Sequence, residues 1–170
     1  MARPDLPDAI DRINRGAGWI ARWSILLMLA IGAWNVIGRY LGLALGLSLS
    51  SNALIEAQWY LFSITFLLGL GYTLQRDGHV RIDLLHSRWS TRRQQGVELA
   101  GSLALLLPFA LMVVLVSLQP AWQSFLIQES SPDPGGLPRY WIKALIPVGF
   151  GLLALQGVAC AIRVRRALRP

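Results

Sequence analysis

The chain is poor in the groups that most protein chemistry uses. Cys160 is the single cysteine among 170 residues, so no intrachain disulfide can form and no thiolate metal cluster can be built. The two histidines, His79 and His86, share one polar stretch, so the axial ligands that a membrane haem takes from within its spans are missing. There is no G-x-S-x-G elbow, H-E-x-x-H pair or phosphate-binding glycine loop, and no serine in an apolar run has a histidine to activate it. These absences argue against an enzyme. Charged residues make up only 15% of the chain, and apart from Lys143 all 16 basic residues are arginine. A net charge of +7 invites a nucleic-acid reading. The arginines, however, stand beside the ends of apolar runs, where anionic headgroups lie, so topology anchoring explains them and no nucleic-acid partner is expected.

What the chain has in quantity is apolar length. It is 54% hydrophobic with a mean hydropathy of +0.47, beyond an ordinary soluble domain. A hydrocarbon core about 30 Å thick needs roughly 20 helical residues, and four stretches supply them, near 18–41, 53–75, 95–118 and 138–162. The expected fold is all-α: a single integral membrane domain over 1–170, with four transmembrane helices and short interfacial helices. The basic N-terminus before an apolar run resembles a signal peptide. The run Trp23 to Leu49 is too long for one, so the first helix is read as uncleaved.

The segment from Asp5 to Gly16 places Leu6, Ile10 and Ile13 at helical spacing among Asp8, Asp11, Arg12 and Arg15, the pattern of a short amphipathic helix on the membrane surface that leads straight into the first span. Gly42 to Ser50 is apolar but too short to cross again, and reads as an interfacial or re-entrant connector. Ser51 and Asn52 suit an N-cap, with Glu56 in the first turn where the helix dipole favours a carboxylate. Pro108 predicts a kink in the third span and Pro147 one in the fourth. Gln119 to Leu137 contains Pro120, Pro132, Pro134, Gly135 and Gly136, and predicts a loop with one short helix over Ala121 to Gln128. Glycines 38, 42 and 46 have G-x-x-x-G spacing, which fits either close approach of another helix or a bend.

Thirteen Lys and Arg fall in the N-terminal segment, the stretch Arg76 to Arg93 and the C-terminal tail, against three (Arg39, Arg139, Lys143) in the other two loops. Such segments resist translocation, so both termini and the middle loop are expected in the cytoplasm. Six of seven tryptophans lie near span ends as an aromatic belt, whereas Trp34 is deeper and is expected to pack on another helix. Ionisable groups within spans are few: Arg22, Arg39, Glu56 and Lys143 lie near ends, and Glu98 one turn into the third span. Arg39 and Glu56 fall on the same side, and a salt bridge across their hairpin is expected. The sharper alternative is a proton or substrate relay through Glu56, but no acidic residue continues such a path. His79, Asp83 and His86 form an i, i+4, i+7 set that one helical face could offer a metal; a polar interfacial loop collects such residues without one.

Two segments carry a family resemblance. Asn52 to Leu85, NALIEAQWYLFSITFLLGLGYTLQRDGHVRIDLL, resembles the second helix and following loop of DctQ-like small membrane subunits of TRAP (tripartite ATP-independent periplasmic) transporters, and Gly136 to Gly157, GLPRYWIKALIPVGFGLLALQG, resembles their fourth helix. The similarity covers nearly the whole chain. It implies a bacterial inner-membrane subunit that is not itself the carrier. In such systems a periplasmic binding protein captures an organic anion, a large membrane subunit moves it by a sodium-coupled elevator motion, and the small subunit packs on the static scaffold. No cofactor is implied for this chain, sodium coupling belonging to the large subunit. Glu56, Trp59, Arg76, His79, Arg81 and Asp83 match the family pattern around the second helix, and Pro138, Arg139, Lys143 and Pro147 around the fourth. The resemblance gives them roles in folding, membrane positioning and subunit contact, with Arg139 facing the binding protein. Many relatives carry a second acid beside the glutamate, whereas Ala57 follows Glu56 here. The cargo such systems usually carry is a small carboxylate or 2-oxo acid. Two alternatives stand beside this reading: a self-sufficient four-helix carrier using Glu56, and a membrane anchor for an oxidoreductase.

Overall fold

A computed structural model describes residues 5–78 and 89–168. Among them there is no strand, and four helices are long and apolar enough to cross a membrane: α1 (Leu6–Leu45), α2 (Asn52–Gln75), α3 (Thr91–Leu126) and α4 (Tyr140–Leu168). They run alternately up and down. One end of the bundle therefore gathers the start of α1 and the finish of α4 (the terminal end), and the other gathers the 46–51 and 127–139 connections (the loop end). The packing centres on α4, which lies against α1, α2 and α3, while α1 also packs along α2 and α3 rests mainly on α4.

Small residues decide where the helices meet. Hydrocarbon is as apolar as leucine, so helices associate in it through close backbone approach and polar contacts. Ala17, Gly18, Ala21 and Ser24 form the buried face of α1, and a Cβ on Gly18 would sit 2.4 Å from the Tyr72 ring of α2. Gly149 of α4 lies under the Leu67 carbonyl of α2, where a Cβ would come within 2.7 Å. Gly157 gives the same room to Leu106 of α3. Ala110, Leu153 and Ala154 fill the α3–α4 seam, with Phe150 and Leu107 against them.

The expected spans are all present but longer, and one helix expected to be separate is not. The amphipathic stretch 5–16 leads straight into the first span, as expected, and forms the first three turns of a continuous 40-residue α1. Of its three apolar residues only Ile10 is buried, beside Asn14, while Leu6 and Ile13 point outward. Pro120 does not end the third helix, which continues to Leu126 and absorbs the start of the expected loop helix 121–128. A membrane helix tolerates proline where local geometry satisfies the freed carbonyl. At Pro108 the relief is visible: Ser102–Leu106 form one π-helical turn just before it, widening the helix where the ring would collide with the preceding carbonyl. Pro147 sits within α4 as expected.

The connector after α1 explains the spaced glycines. Gly46 adopts φ 68°, the left-handed helix stop, and the Leu47 amide closes onto the Gly42 carbonyl at 2.9 Å. Side chains at Gly38 and Gly42 would come within 2.7 and 2.4 Å of the Leu49 and Leu47 carbonyls. These glycines admit the chain's own return segment, not a second helix. Trp34, expected to pack on another helix, is half exposed on the outer surface of the bundle.

At the terminal end a polar seam joins α1, α2 and α4. Asn14 and Gln156, both fully buried, are joined by Asn14 Nδ2 donating to Gln156 Oε1 at 2.7 Å; Gln156 Nε2 donates to Asp11 Oδ1 at 3.0 Å. Arg163 forks onto both Asp11 oxygens at 3.2 and 2.6 Å, and Arg166 reaches Asp5 at 2.7 Å. These ion pairs are partly exposed and contribute at most about 1 kcal/mol each; the buried amides fix the register. Gly71 makes room for them, since a Cβ there would lie 2.1 Å from Asn14 Oδ1 and 3.0 Å from the Leu152 carbonyl. Gly71→Ala should therefore destabilise the bundle by roughly 1–3 kcal/mol, read as a lowered unfolding temperature in detergent. Gly96→Ala, at an α3 position with open space around it, should leave it unchanged or raise it slightly.

Candidate functional site

At the loop end the N-terminus of α2 meets the connection from α3 to α4. Ser51 caps α2 as its sequence predicts, its hydroxyl accepting from the Leu54 amide. One turn on, Glu56 is buried at 1% exposure. Its carboxylate accepts the Ser131 hydroxyl on one oxygen and the Leu137 amide on the other. Gly136 lies between these donors, where a Cβ would come 2.4 Å from the Ser131 side chain and 2.7 Å from Glu56 Oε2. Asn52 Nδ2 donates to the Pro134 carbonyl at 3.1 Å, and the Tyr60 hydroxyl to the Pro138 carbonyl at 3.1 Å. The first two turns of α2 thus staple the 131–138 segment down.

A second clasp closes the same connection. The Arg139 amide donates to the Glu129 carbonyl at 2.8 Å, and Lys143 Nζ bonds the Glu129 carboxylate. That ammonium holds the Glu129 carboxyl below its ordinary value of 4.5. Around both clasps, Trp122, Phe125, Tyr140 and Trp141 form a run of ring contacts at 5.1–6.1 Å, an aromatic belt as expected for a headgroup layer.

The expected Arg39–Glu56 salt bridge is not formed. Arg39 is exposed on α1, and the cation whose charge bears on Glu56 is Arg139. The carboxylate is reached by loop donors that the connector geometry brings to it, and the α1–α2 hairpin does not bring Arg39. Trp59 lies half exposed with its ring edge-on to Tyr60. Arg76 is apart from this group, at the terminal end, where its Nε donates to the Tyr72 hydroxyl at 3.2 Å and its guanidinium covers that ring. His79, Arg81, Asp83 and His86 lie outside the described residues, as does the metal-set reading built on them; among the described residues no cluster of three metal-binding side chains occurs.

The sequence reading missed Ser131, Gly136 and Glu129 as partners of Glu56 and Lys143. Their one signal was the density of turn-forming residues in 130–138, which marks a loop without marking what it grips. It also missed the Asn14–Gln156 pair, legible only as two amides on otherwise apolar helical faces. Between α3 and α4 a groove of about 330 Å³ is lined by Met112, Val116, Pro120 and Ile146, with Ser117 and Lys143 as its polar members. It has no carboxylate, so it offers no continuation for a relay from Glu56.

Two outcomes follow from the clasps. Because the Glu129 carboxyl is held low in the folded chain, its pairing stabilises the loop fully above the ordinary glutamate value, weakens as pH falls through 4.5, and is gone below the folded value. Protection factors of the 129–139 amides, taken relative to intrinsic exchange at each pH, should fall over that acidic range in the wild type and fall less in Glu129→Gln, where the Lys143 pairing no longer titrates. Gly136→Ala should open the segment at neutral pH, since its methyl group competes with Ser131 and Glu56 for the same space.

The arrangement is therefore a structural closure at one end of a four-helix membrane bundle, matched by an amide seam at the other. No curated protein gives a significant match to the chain. The family model described as Tripartite ATP-independent periplasmic transporters, DctQ component, matches residues 28–167, which takes in the latter part of α1, all of α2 and α3, nearly all of α4, and both clasps. The chain belongs to the DctQ family, the small membrane component of tripartite ATP-independent periplasmic transporters.

Proposed function

We propose that this chain is the static small subunit of a sodium-coupled importer of organic anions, one that enlarges the fixed scaffold on which the large membrane subunit moves its cargo. An elevator can slide its mobile part only against something held still in the bilayer. Two features support that role: helices locked by polar seams at both ends, and outer faces that are apolar almost throughout. The bundle sits in the bacterial inner membrane with both termini in the cytoplasm. The excess of arginine at the terminal end supports that orientation. The exposed 132–135 tip and the half-buried Arg139 then face the periplasm, where the binding protein delivers its anion. Sodium coupling and cargo choice belong to the partner subunits.

The observation that carries this reading is the engagement of Glu56. A carrier working alone needs a membrane carboxylate free to take up a proton or cargo, and here both oxygens are bound by the chain's own loop. Glu56→Gln keeps an oxygen for the Leu137 amide and an amide for the Ser131 hydroxyl, so the assembled complex should form and uptake should persist. Glu56→Ala should lower the yield of assembled complex. Loss of uptake in Glu56→Gln with the complex intact would establish a relay and overturn the scaffold role.

A further inference from the structure

The first three turns of α1 are tied to one neighbour and patterned for another. Among the described residues, the side-chain bonds that Asp5, Asp8, Asp11 and Asn14 make across to other helices reach α4, at Gln156, Arg163 and Arg166, apart from one between Asp11 and Gln75 of α2. This polar side holds the stretch upright against the tail of α4. The apolar side is poorly covered there: Pro7 and Ile10 are buried, but Leu6 stays 61% and Ile13 53% exposed.

That exposure lies outside the hydrocarbon. Trp19 and Trp23, in edge contact at 6.1 Å and with Arg22 beside them in sequence, mark the headgroup level, and α1 from Trp23 to Leu45 still supplies the roughly 20 residues that a 30 Å core needs. Leu6 and Ile13 therefore meet headgroups or water. Leu6, Ile10 and Ile13 share one helical face with charged residues opposite, and a helix so patterned lies flat at a lipid surface with its apolar side chains sunk toward the acyl chains.

Order of synthesis decides which seat is filled first. Gln156 lies 142 positions after Asn14, so while the first span enters the membrane the polar seat on α4 has not been made, and the lipid surface is the cover within reach. Passage from one seat to the other needs a bend where the stretch joins the span, and glycine stands there twice. Gly18 makes room for the Tyr72 ring, whereas Gly16 has open space around it, so packing does not require a glycine at that position. A glycine inside a helix makes bending easier. Charge sets the direction of the exchange. The stretch carries three carboxylates against Arg12 and Arg15, so anionic headgroups hold it weakly, while Arg163 and Arg166 attract those carboxylates once α4 is in place.

We infer that residues 5–16 form a two-position arm, which rests on the lipid surface until α4 arrives and then swings up at Gly16 to close on Gln156 and the arginines of the α4 tail. Its closure marks the completed bundle. The inference depends on insertion of the chain in a membrane and goes beyond the scaffold role, so it stands or falls separately from that role.

The test places a nitrobenzoxadiazole dye on Leu6→Cys or Ile13→Cys in the full chain, with Cys160→Ala removing the other thiol, in vesicles whose lipids carry a nitroxide quencher on the acyl chain. With α4 otherwise unaltered, the dye at either position should be quenched weakly by lipid and readily by aqueous iodide. In Gln156→Leu/Arg163→Gln, which removes the polar seat without altering α1, lipid quenching should rise severalfold and iodide quenching fall, with helix content unchanged. Gly16→Ala added to that variant, at a site with room for the methyl group, should stiffen the joint and reverse part of the rise, which a general loosening of the bundle would not do. Equal quenching with and without the polar seat would show that α4 does not hold the arm. A fall in helix content with the dye in water would show that there is no lipid seat, and strong lipid quenching before α4 is altered would show that the upright position is not the resting one. Each of these results, or a rise that ignores Gly16→Ala, overturns the inference.

Discussion

The constraint behind this structure is that lipid gives apolar helices no reason to prefer one another. A leucine face is equally content against acyl chains, so register and pairing come from contacts that hydrocarbon cannot supply. The chain places two such contacts at opposite ends of α4. At one end the Asn14–Gln156 amide pair is buried with Asp11 and Arg163 over it; at the other, Glu56 takes its donors from the segment leading into α4. Between them the helices meet through glycine and alanine, and much of the large apolar surface is left outward.

This division explains why so polar a residue as Glu56 sits inside a subunit that does no chemistry. A buried carboxylate is tolerable only where it is fully hydrogen-bonded, and once so bonded it is costly to displace. The two donors that satisfy it come from residues 75 and 81 positions away, so the interaction reports that the bundle has closed correctly. A carboxylate serving a proton path would need the reverse: incomplete bonding and access to water.

Much of the fold was legible in the sequence because membrane helices announce themselves by length. Four spans, the Ser51 cap and the site of the Pro108 distortion follow from local chemistry. Failures arose where the rules for soluble proteins do not carry over, or where partners are distant in sequence. Pro120 reads as a helix breaker, yet the third helix passes through it. The 5–16 segment reads as a surface helix because Leu6 and Ile13 are apolar; in the structure they face out and Asn14 faces in. Nothing local in the sequence distinguishes Ser131 from neighbouring Ser130 as the partner of Glu56, or pairs Asn14 with a glutamine 142 residues away. Such pairings are settled only when the helices are set side by side.

A static scaffold requires the loop-end closure to remain shut while the transporter works. Hydrogen exchange at the Leu137 amide, followed by mass spectrometry in the reconstituted complete transporter with and without a sodium gradient and cargo, addresses that most directly. A static scaffold predicts slow exchange that is the same in both conditions. Exchange that quickens during turnover would show that Glu56 releases its loop as part of the cycle, and would contradict it.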